Sequence, residues 1–380
     1  MSSREAALAQ LDRVDPAAYA RSRNFLDGGV TGLSPWITHG MLDLPEALAR
    51  LRRRHRLGPE DTLVCEFGWR EFFHHVWRHL GESILADVRP PLPGVAYARA
   101  MPPDLLRACT GVPVVDASVR QLYQTGWLHN HQRLWLASYA VHVRKVHWRS
   151  AADWMVGHLL DGDLGSNHLS WQWCAGTFSS KPYLFNAGNV ARYAPALASP
   201  GTFVDCSYEA LDHHARHGGD AGPEAKPPAP VDVLELHALP PRPLPPAPEP
   251  AALAGRRVHL MHPWGLRRPE GADAVIGVLH QPFHARFPWS ARRWDFVLEA
   301  LARESDGVWL GDVTQLLPAL AGACDISARA TLHPGYRECL AAPAVRLVPV
   351  PRISADPDRL YASFTAFWKR VSGSVADGRA

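Results

Sequence analysis

Leu159-Leu-Asp-Gly-Asp-Leu-Gly-Ser-Asn-His-Leu-Ser-Trp-Gln-Trp173 sets the reading of this chain. Two carboxylates (Asp161, Asp163), an amide (Asn167), the glycines Gly162 and Gly165, and two indoles one residue apart (Trp171, Trp173) stand between apolar helical patterns. A packing helix needs far less polar and aromatic machinery. Upstream, Val112 to Gly126 reads as a capped helix ending on glycine, about Asn130 to Val146 as the next, and the run after Ala152 to Leu160 as a third. No acidic residue lies between Asp116 and Asp153, whereas Arg120, Arg133, Arg144, Lys145 and Arg149 do, interleaved with Trp127, Trp135 and Trp148. Such a composition suits a surface that meets a polyanion and stacks on bases, and equally a set of core and helix-end residues.

Earlier in the chain, residues 4 to 14 carry apolar side chains at helical spacing, and Asp15-Pro16 caps and opens a second helix that includes Tyr19. Asn24 to Ser34 is glycine-rich and ends Thr31-Gly-Leu-Ser34 before Pro35. Free backbone N–H groups and short hydroxyls at a helix start can grip a phosphate, and an ordinary capped turn looks the same. Pro45 to His55 is helical with an Arg-rich end, and Glu60 to Leu80 is an aromatic helix. On it Glu66, Trp69 and Arg70 fall at i, i+3 and i+4, hence on one face. That face reads either as packed aromatics with an internal ion pair or as a lining for a planar, anionic ligand.

With 380 residues, 47% of them hydrophobic, the chain can bury a large core and is expected to form two domains. A formal charge of +3 is near balance, so contact with nucleic acid has to come from a local patch. Cys65, Cys109, Cys174, Cys206, Cys324 and Cys339 form no CxxC pair and no metal-like spacing with histidine, which predicts reduced thiols in a cytoplasmic protein and no metal. No run of about eighteen apolar residues is present, so neither a signal peptide nor a membrane partner is expected.

Residues 216–252 are proline-rich and read as a stiff, extended linker. Beyond it strands are predicted at Arg257 to His262, Ala274 to Leu279, Gly307 to Gly311 and Val345 to Val350. Helices are predicted at Ala291 to Glu304, Val313 to Gly322 and Asp356 to Val371. Alternating strands and helices argue for a small parallel α/β (Rossmann-like) layer. The expected architecture is multidomain: an all-helical part over 1–215, the linker 216–252 and an α/β domain over 253–380.

Four runs then carry a resemblance. Val30-Thr-Gly-Leu-Ser-Pro35, Glu66-Phe-Gly-Trp-Arg-Glu-Phe72, Gly111 to Asn130 and Asp161 to Trp173 resemble, in order and spacing over residues 19 to 193, the FAD-binding domain of photolyases and cryptochromes. The resemblance implies FAD as cofactor. It puts Thr31, Gly32, Leu33 and Ser34 on the FAD phosphates and Tyr19 as an aromatic closing on the cofactor. Glu66, Trp69 and Arg70 then lie on a helix touching flavin and lesion, and Arg133 and Asp161 pair beside the isoalloxazine. Gly162 and Asp163 lie at the polar edge of that ring, and Asn167 faces the flavin N5. Trp69 and Trp173 would stack on a flipped-out cyclobutane pyrimidine dimer, Glu66 would bond its carbonyl groups, and Asn130 with His131 would touch the flanking DNA. The implied activity is that of a deoxyribodipyrimidine photo-lyase on UV-damaged DNA, double- or single-stranded. There an excited reduced flavin lends an electron to the dimer, which splits and returns it. Enzymes for the 6-4 photoproduct carry histidines where this chain has Asn130 and Leu134, which favours a cyclobutane substrate.

Several features depart from the family. Trp171 and Trp148 match the inner two members of its electron-transfer chain, but no tryptophan lies between Trp77 and Trp127, where the outermost belongs. Tyr97 could stand in. The α/β part follows the flavin domain instead of preceding it, and it lacks a GxGxxG fingerprint, so an antenna chromophore is left open, as is any protein partner of that part. A cryptochrome-like blue-light photoreceptor without repair activity is the alternative reading.

Overall fold

The chain is described by a computed structural model over residues 2–376. In chain order its helices are α1 (Arg4–Asp12), α2 (Pro16–Ser22), α3 (Ser34–Thr38), α4 (Leu44–Arg52), α5 (Thr62–Leu80), α6 (Pro103–Leu106), α7 (Pro113–Thr125), α8 (Asn130–Ser138), α9 (Trp148–His158), α10 (Leu164–Ala175), α11 (Ala187–Tyr193) and α12 (Tyr208–His217). There follow β1 (Leu236–His237), β2 (Arg257–Met261), β3 (Ala274–His280), α13 (Gln281–Arg286), β4 (Trp289–Ser290), α14 (Ala291–Glu304), β5 (Val308–Gly311), α15 (Val313–Leu316), β6 (Asp325–Arg329), α16 (Tyr336–Leu340), β7 (Arg346–Val348) and α17 (Phe364–Ala376). The architecture is mixed helical and α/β, as expected. None of the described helices is long and apolar enough to cross a membrane.

The chain folds as two compact units. The first gathers the segment up to Pro16, Thr31–His79 and everything from Leu236 onward; the second is Ala17–Val30 with Leu80–Glu235. The division drawn along the sequence, at 215 and 253, is a different cut, because the segment up to Pro16 and Thr31–His79 group with the distant α/β layer.

In the first unit the sheet has the order β5-β3-β2-β6-β7, all parallel. β3 is buried along its whole length, which its run Ala-Val-Ile-Gly-Val-Leu-His dictates in a sheet covered on both faces. The N-terminal pieces are tied to this layer by Asp43 on Arg329, by His39 Nδ1 at 2.5 Å from the Pro263 carbonyl, and by the Leu266 N–H donating to the His39 carbonyl at 2.8 Å. Gly40 sits at φ +68, and a Cβ there would lie 2.7 Å from the Trp264 carbonyl oxygen, so the close approach requires glycine.

In the second unit a single core runs from Leu105 through Trp135, Tyr139, Trp148 and Trp171 to Val204. Here α7 to α10 supply the walls. The 216–252 stretch is less free than its composition predicts. Its first part straps this core, with Ala221, Glu224 and Val231 donating their N–H groups to the carbonyls of Val143, Thr110 and Arg107.

Three further expectations change. The helix predicted from Asn130 to Val146 is regular only to Ser138 and then widens into a π turn over Tyr139–Val143. Lys145, at φ +50, ends it, with its ammonium donating to the His214 and Ala215 carbonyls at the end of α12. Strand β6 was hidden in Asp-Ile-Ser-Ala-Arg, too short and polar for a pattern, yet it lies beside β2 in the middle of the sheet. The closing helix spans Phe364–Ala376, not 356–371, because the preceding residues are spent on side-chain contacts with α5.

Candidate functional site

Within the second unit the decisive stretch forms α10, whose start is fixed by Asp163. This residue caps the helix, accepting from the Ser166 N–H at 2.9 Å and its hydroxyl at 2.6 Å. Two residues earlier Asp161, almost wholly buried, accepts from the Arg133 guanidinium at 2.7 Å, and Arg133 also donates to the Leu128 carbonyl at 3.0 Å. The guanidinium is thus held by a backbone carbonyl as well as by the carboxylate, and the expected ion pair is present. Asn167 is buried, its amide nitrogen donating to the Ala152 carbonyl at 3.0 Å, which fixes the side chain against α9.

The two indoles that end the stretch behave oppositely. Trp171 is buried in the core, whereas Trp173 is 37% exposed, resting on Tyr183 with ring centroids 5.5 Å apart. Trp148 shares the core with Trp171 and donates to Asp87 at 2.6 Å. It lines a small cavity together with Asp87, Tyr97 and His147, so Tyr97 does stand beside the outer of the two expected relay tryptophans. Burial pushes the Tyr97 phenol up to about 12.

Asn130 opens α8 on the surface. His131 is turned in among Tyr193, Trp135 and His129, at centroid distances of 5.1, 5.5 and 5.5 Å, and burial pulls its pKa down to about 4. The imidazole is neutral at physiological pH and offers no cation to a phosphate. Tyr19, on α2, lies under the Arg23 guanidinium at 5.8 Å.

Within the first unit Thr31 is held by Gln10, whose amide donates to its carbonyl at 2.9 Å, and the Thr31 hydroxyl lies 3.4 Å from the Leu33 N–H. Gly32 is left-handed, Leu33 is buried, and Ser34 begins α3. On α5, Glu66, Trp69 and Arg70 share the expected face and are partly exposed. The ring face of Trp69 is covered: Phe364, the first residue of α17, stacks on it at 4.1 Å and 12°. Trp368 continues the stack on Phe364 at 5.7 Å and 17°, and a Cβ on Gly68 would lie 2.2 Å from its ring.

Below these rings the segment before α17 is bolted to α5. Glu71 accepts from the Ile353 N–H at 2.7 Å and the Ser354 hydroxyl at 2.5 Å. Burial raises the Glu71 pKa, against the lowering pull of Arg352. His75 faces Asp356 at 2.7 Å and accepts from the Tyr361 N–H at 3.0 Å. Sequence reasoning missed this cover. Its signals were Phe364 and Trp368 at i, i+4 and a lone small residue, Gly68, on an otherwise aromatic helix.

A further group, His280, Asp312 and Cys339, has ligand atoms within 4.8 Å of one another. Asp312 caps α15 by accepting from Thr314, and His280 Nδ1 accepts the Val313 N–H at 3.3 Å. These donors already serve a helix start.

The donor set of the second unit fits the polar edge of a flavin. A guanidinium locked by a carboxylate, a buried amide and a capping carboxylate offer both donors and acceptors in a setting otherwise apolar.

Comparison with known proteins agrees. Residues 63–212 match the profile described as the FAD binding domain of DNA photolyase. The deoxyribodipyrimidine photo-lyase of Synechococcus sp. is 32% identical over 196 residues, 48% of this chain and 40% of that protein. That of Streptomyces griseus is 35% identical over 162 residues (42% and 35%), and cryptochrome DASH of Ostreococcus tauri 32% over 194 residues (47% and 35%). This chain spans 40% or less of the length of these curated relatives. Among solved structures, the class III photolyase of Agrobacterium tumefaciens aligns with TM-score 0.46 at 27% identity, covering 51% of this chain and 43% of that one. In sequence, residues 63–212 thus resemble the FAD-binding domain of photolyases and cryptochromes.

Proposed function

We propose that the chain is a light-driven photolyase that repairs cyclobutane pyrimidine dimers in UV-damaged DNA. The observation that carries this reading is the two-faced character of α10: Asn167 is buried and fixed near the start of the helix, while Trp173, six residues on, presents a partly exposed indole. Six residues of helix rise about 9 Å, so one rigid element would span the depth between the amide assigned to the cofactor and an indole that could stack on an extruded base. A protein that only senses light has no use for the exposed indole.

Bound FAD supplies photoexcited one-electron transfer. The chain's own part is to bind and exclude water. The Arg133–Asp161 pair would hold the ring's polar edge, Asn167 is fixed by its amide bond to Ala152, and the apolar walls of α8 and α9 would keep solvent away. Thr31 to Ser34 would receive the phosphates. Trp148 and Trp171, buried in one core, with Tyr97 beside Trp148, are the proposed path by which the cofactor is recharged from solvent. Exposed Asn130 would meet the flanking backbone, whereas the basic residues of this stretch are engaged within the fold, Arg144 with Asp104 and Asp220 and Arg149 with Asp153.

The test is selective binding. FAD-loaded protein should prefer an oligonucleotide bearing one thymine dimer over the undamaged strand, and Trp173→Ala should cut that preference about 10- to 100-fold with flavin retained. Equal binding to both strands by the unaltered protein would favour the photoreceptor reading.

A further inference from the structure

The stack on Trp69 has the form of a base on an aromatic platform. Phe364 lies at 4.1 Å and within 12° of parallel, whereas the neighbours Phe72 and Phe73 meet the Trp69 ring at 82° and 41°. We propose that Phe364 is an intramolecular stand-in for a base, holding the Trp69 face closed until an extruded lesion base displaces it. The inference rests on the reading of Trp69 as a lesion contact.

Three observations make the contact a gate instead of simple packing. First, α17 is anchored independently of Phe364: Phe367, Val371 and Val375 are buried, and Trp368 Nε1 donates to the Pro59 carbonyl at 3.1 Å. The helix stays in place when the Phe364 ring leaves. Second, Phe364 is the first residue of the helix, and Ser363 holds that start by accepting from the Ala366 N–H at 3.4 Å and the Phe367 N–H at 3.1 Å, so the ring can turn about its own side-chain bonds without unwinding the helix. The residues around it, Ala362, Ser363, Thr365 and Ala366, are exposed and offer no resistance to a rotamer change. Third, the other ring stacked with Phe364, Trp368, is seated separately from Trp69: only a glycine at position 68 leaves it room, a Cβ there lying 2.2 Å from its ring. Aromatic pairs and base–aromatic stacks have comparable strengths, so one can exchange for the other. Undamaged duplex, whose bases remain stacked within the helix, brings nothing that can displace Phe364.

The experiment measures anisotropy of a labelled duplex with one cyclobutane thymine dimer, and of its undamaged twin, against FAD-loaded unaltered protein, Phe364→Ala and Phe364→Leu. Leucine keeps the apolar cover of the first turn and lacks a ring, which guards against a folding defect in the alanine variant. The expected result is dimer affinity raised about tenfold in Phe364→Ala, or ~1.4 kcal/mol, and raised in Phe364→Leu as well, with affinity for the undamaged duplex unchanged. If the unaltered protein prefers the dimer and neither variant tightens it, Phe364 is packing alone and the proposal is overturned. If no protein distinguishes dimer from undamaged DNA, the lesion reading itself fails and takes the proposal with it.

Discussion

The proposed function gives helices α5 and α10 one tryptophan each for the same task, and the structure treats the two rings differently. Trp173 on α10 is 37% exposed, its ring backed by Tyr183. Trp69 on α5 has its face taken by Phe364. Motif matching gives the two residues equal standing; packing does not. A residue's chemistry is legible from its type, but its availability depends on what a remote segment places against it.

The sharpest way to break this comparison is to remove each indole. Trp173→Ala should weaken dimer binding about 10- to 100-fold, the value of ~1–3 kcal/mol for a stacked base. Trp69→Ala should cost much less in the unaltered background and approach the Trp173 effect once Phe364→Ala has opened the ring, a coupling that a double-mutant cycle reads directly. Equal losses in the unaltered background would show that Phe364 hides nothing.

Next in size is the bolt beneath the cover. Glu71→Ala leaves the Ile353 N–H and the Ser354 hydroxyl without their buried acceptor and should destabilise the fold by about 1–3 kcal/mol, seen as an earlier denaturation midpoint. No shift would mean that segment 352–361 is not held where the structure places it.

The same bolt should loosen in acid. Burial alone would raise the Asp356 pKa, but the His75 hydrogen bond and the Arg352 and Arg78 charges outweigh it and hold the carboxyl below its ordinary value. A carboxylate lowered in this way contributes stability above its unfolded pKa and loses it as pH falls through the lower folded value. Asp356→Asn should therefore flatten the acid limb of a stability–pH curve; an unchanged limb would contradict the pairing.

The smallest effect belongs to His131. Its neutral state predicts that His131→Gln changes DNA affinity less than about twofold between roughly pH 6 and 8, where a cationic histidine contact would strengthen as pH falls. The folded form favours neutral imidazole, so the stability linked to it is full above the ordinary histidine range and fades as pH falls toward about 4.

Part of the site was legible because its signals are local. The helix ending at Gly126 follows from residue type and spacing within a short stretch, whereas the Arg133–Asp161 pair, 28 positions apart, was legible only through the family resemblance, and the capping role of Asp163 was not read at all. What escaped depends on long-range packing. Strand β6 is short and half polar, so only its place beside β2 makes it a strand. The π turn at Tyr139 follows from how the chain must turn before Lys145. The cover on α5 joins residues some 280 positions apart, Glu71 with Ile353 and His75 with Asp356, and no periodicity can announce such a contact.

Repair itself is the most direct measurement. Protein with its FAD chemically reduced, mixed with an oligonucleotide bearing one cyclobutane thymine dimer, should restore thymine absorbance under blue light and not in the dark, and Trp173→Ala should slow that recovery at limiting protein. A normal reduced-flavin spectrum with no light-dependent recovery would contradict the account.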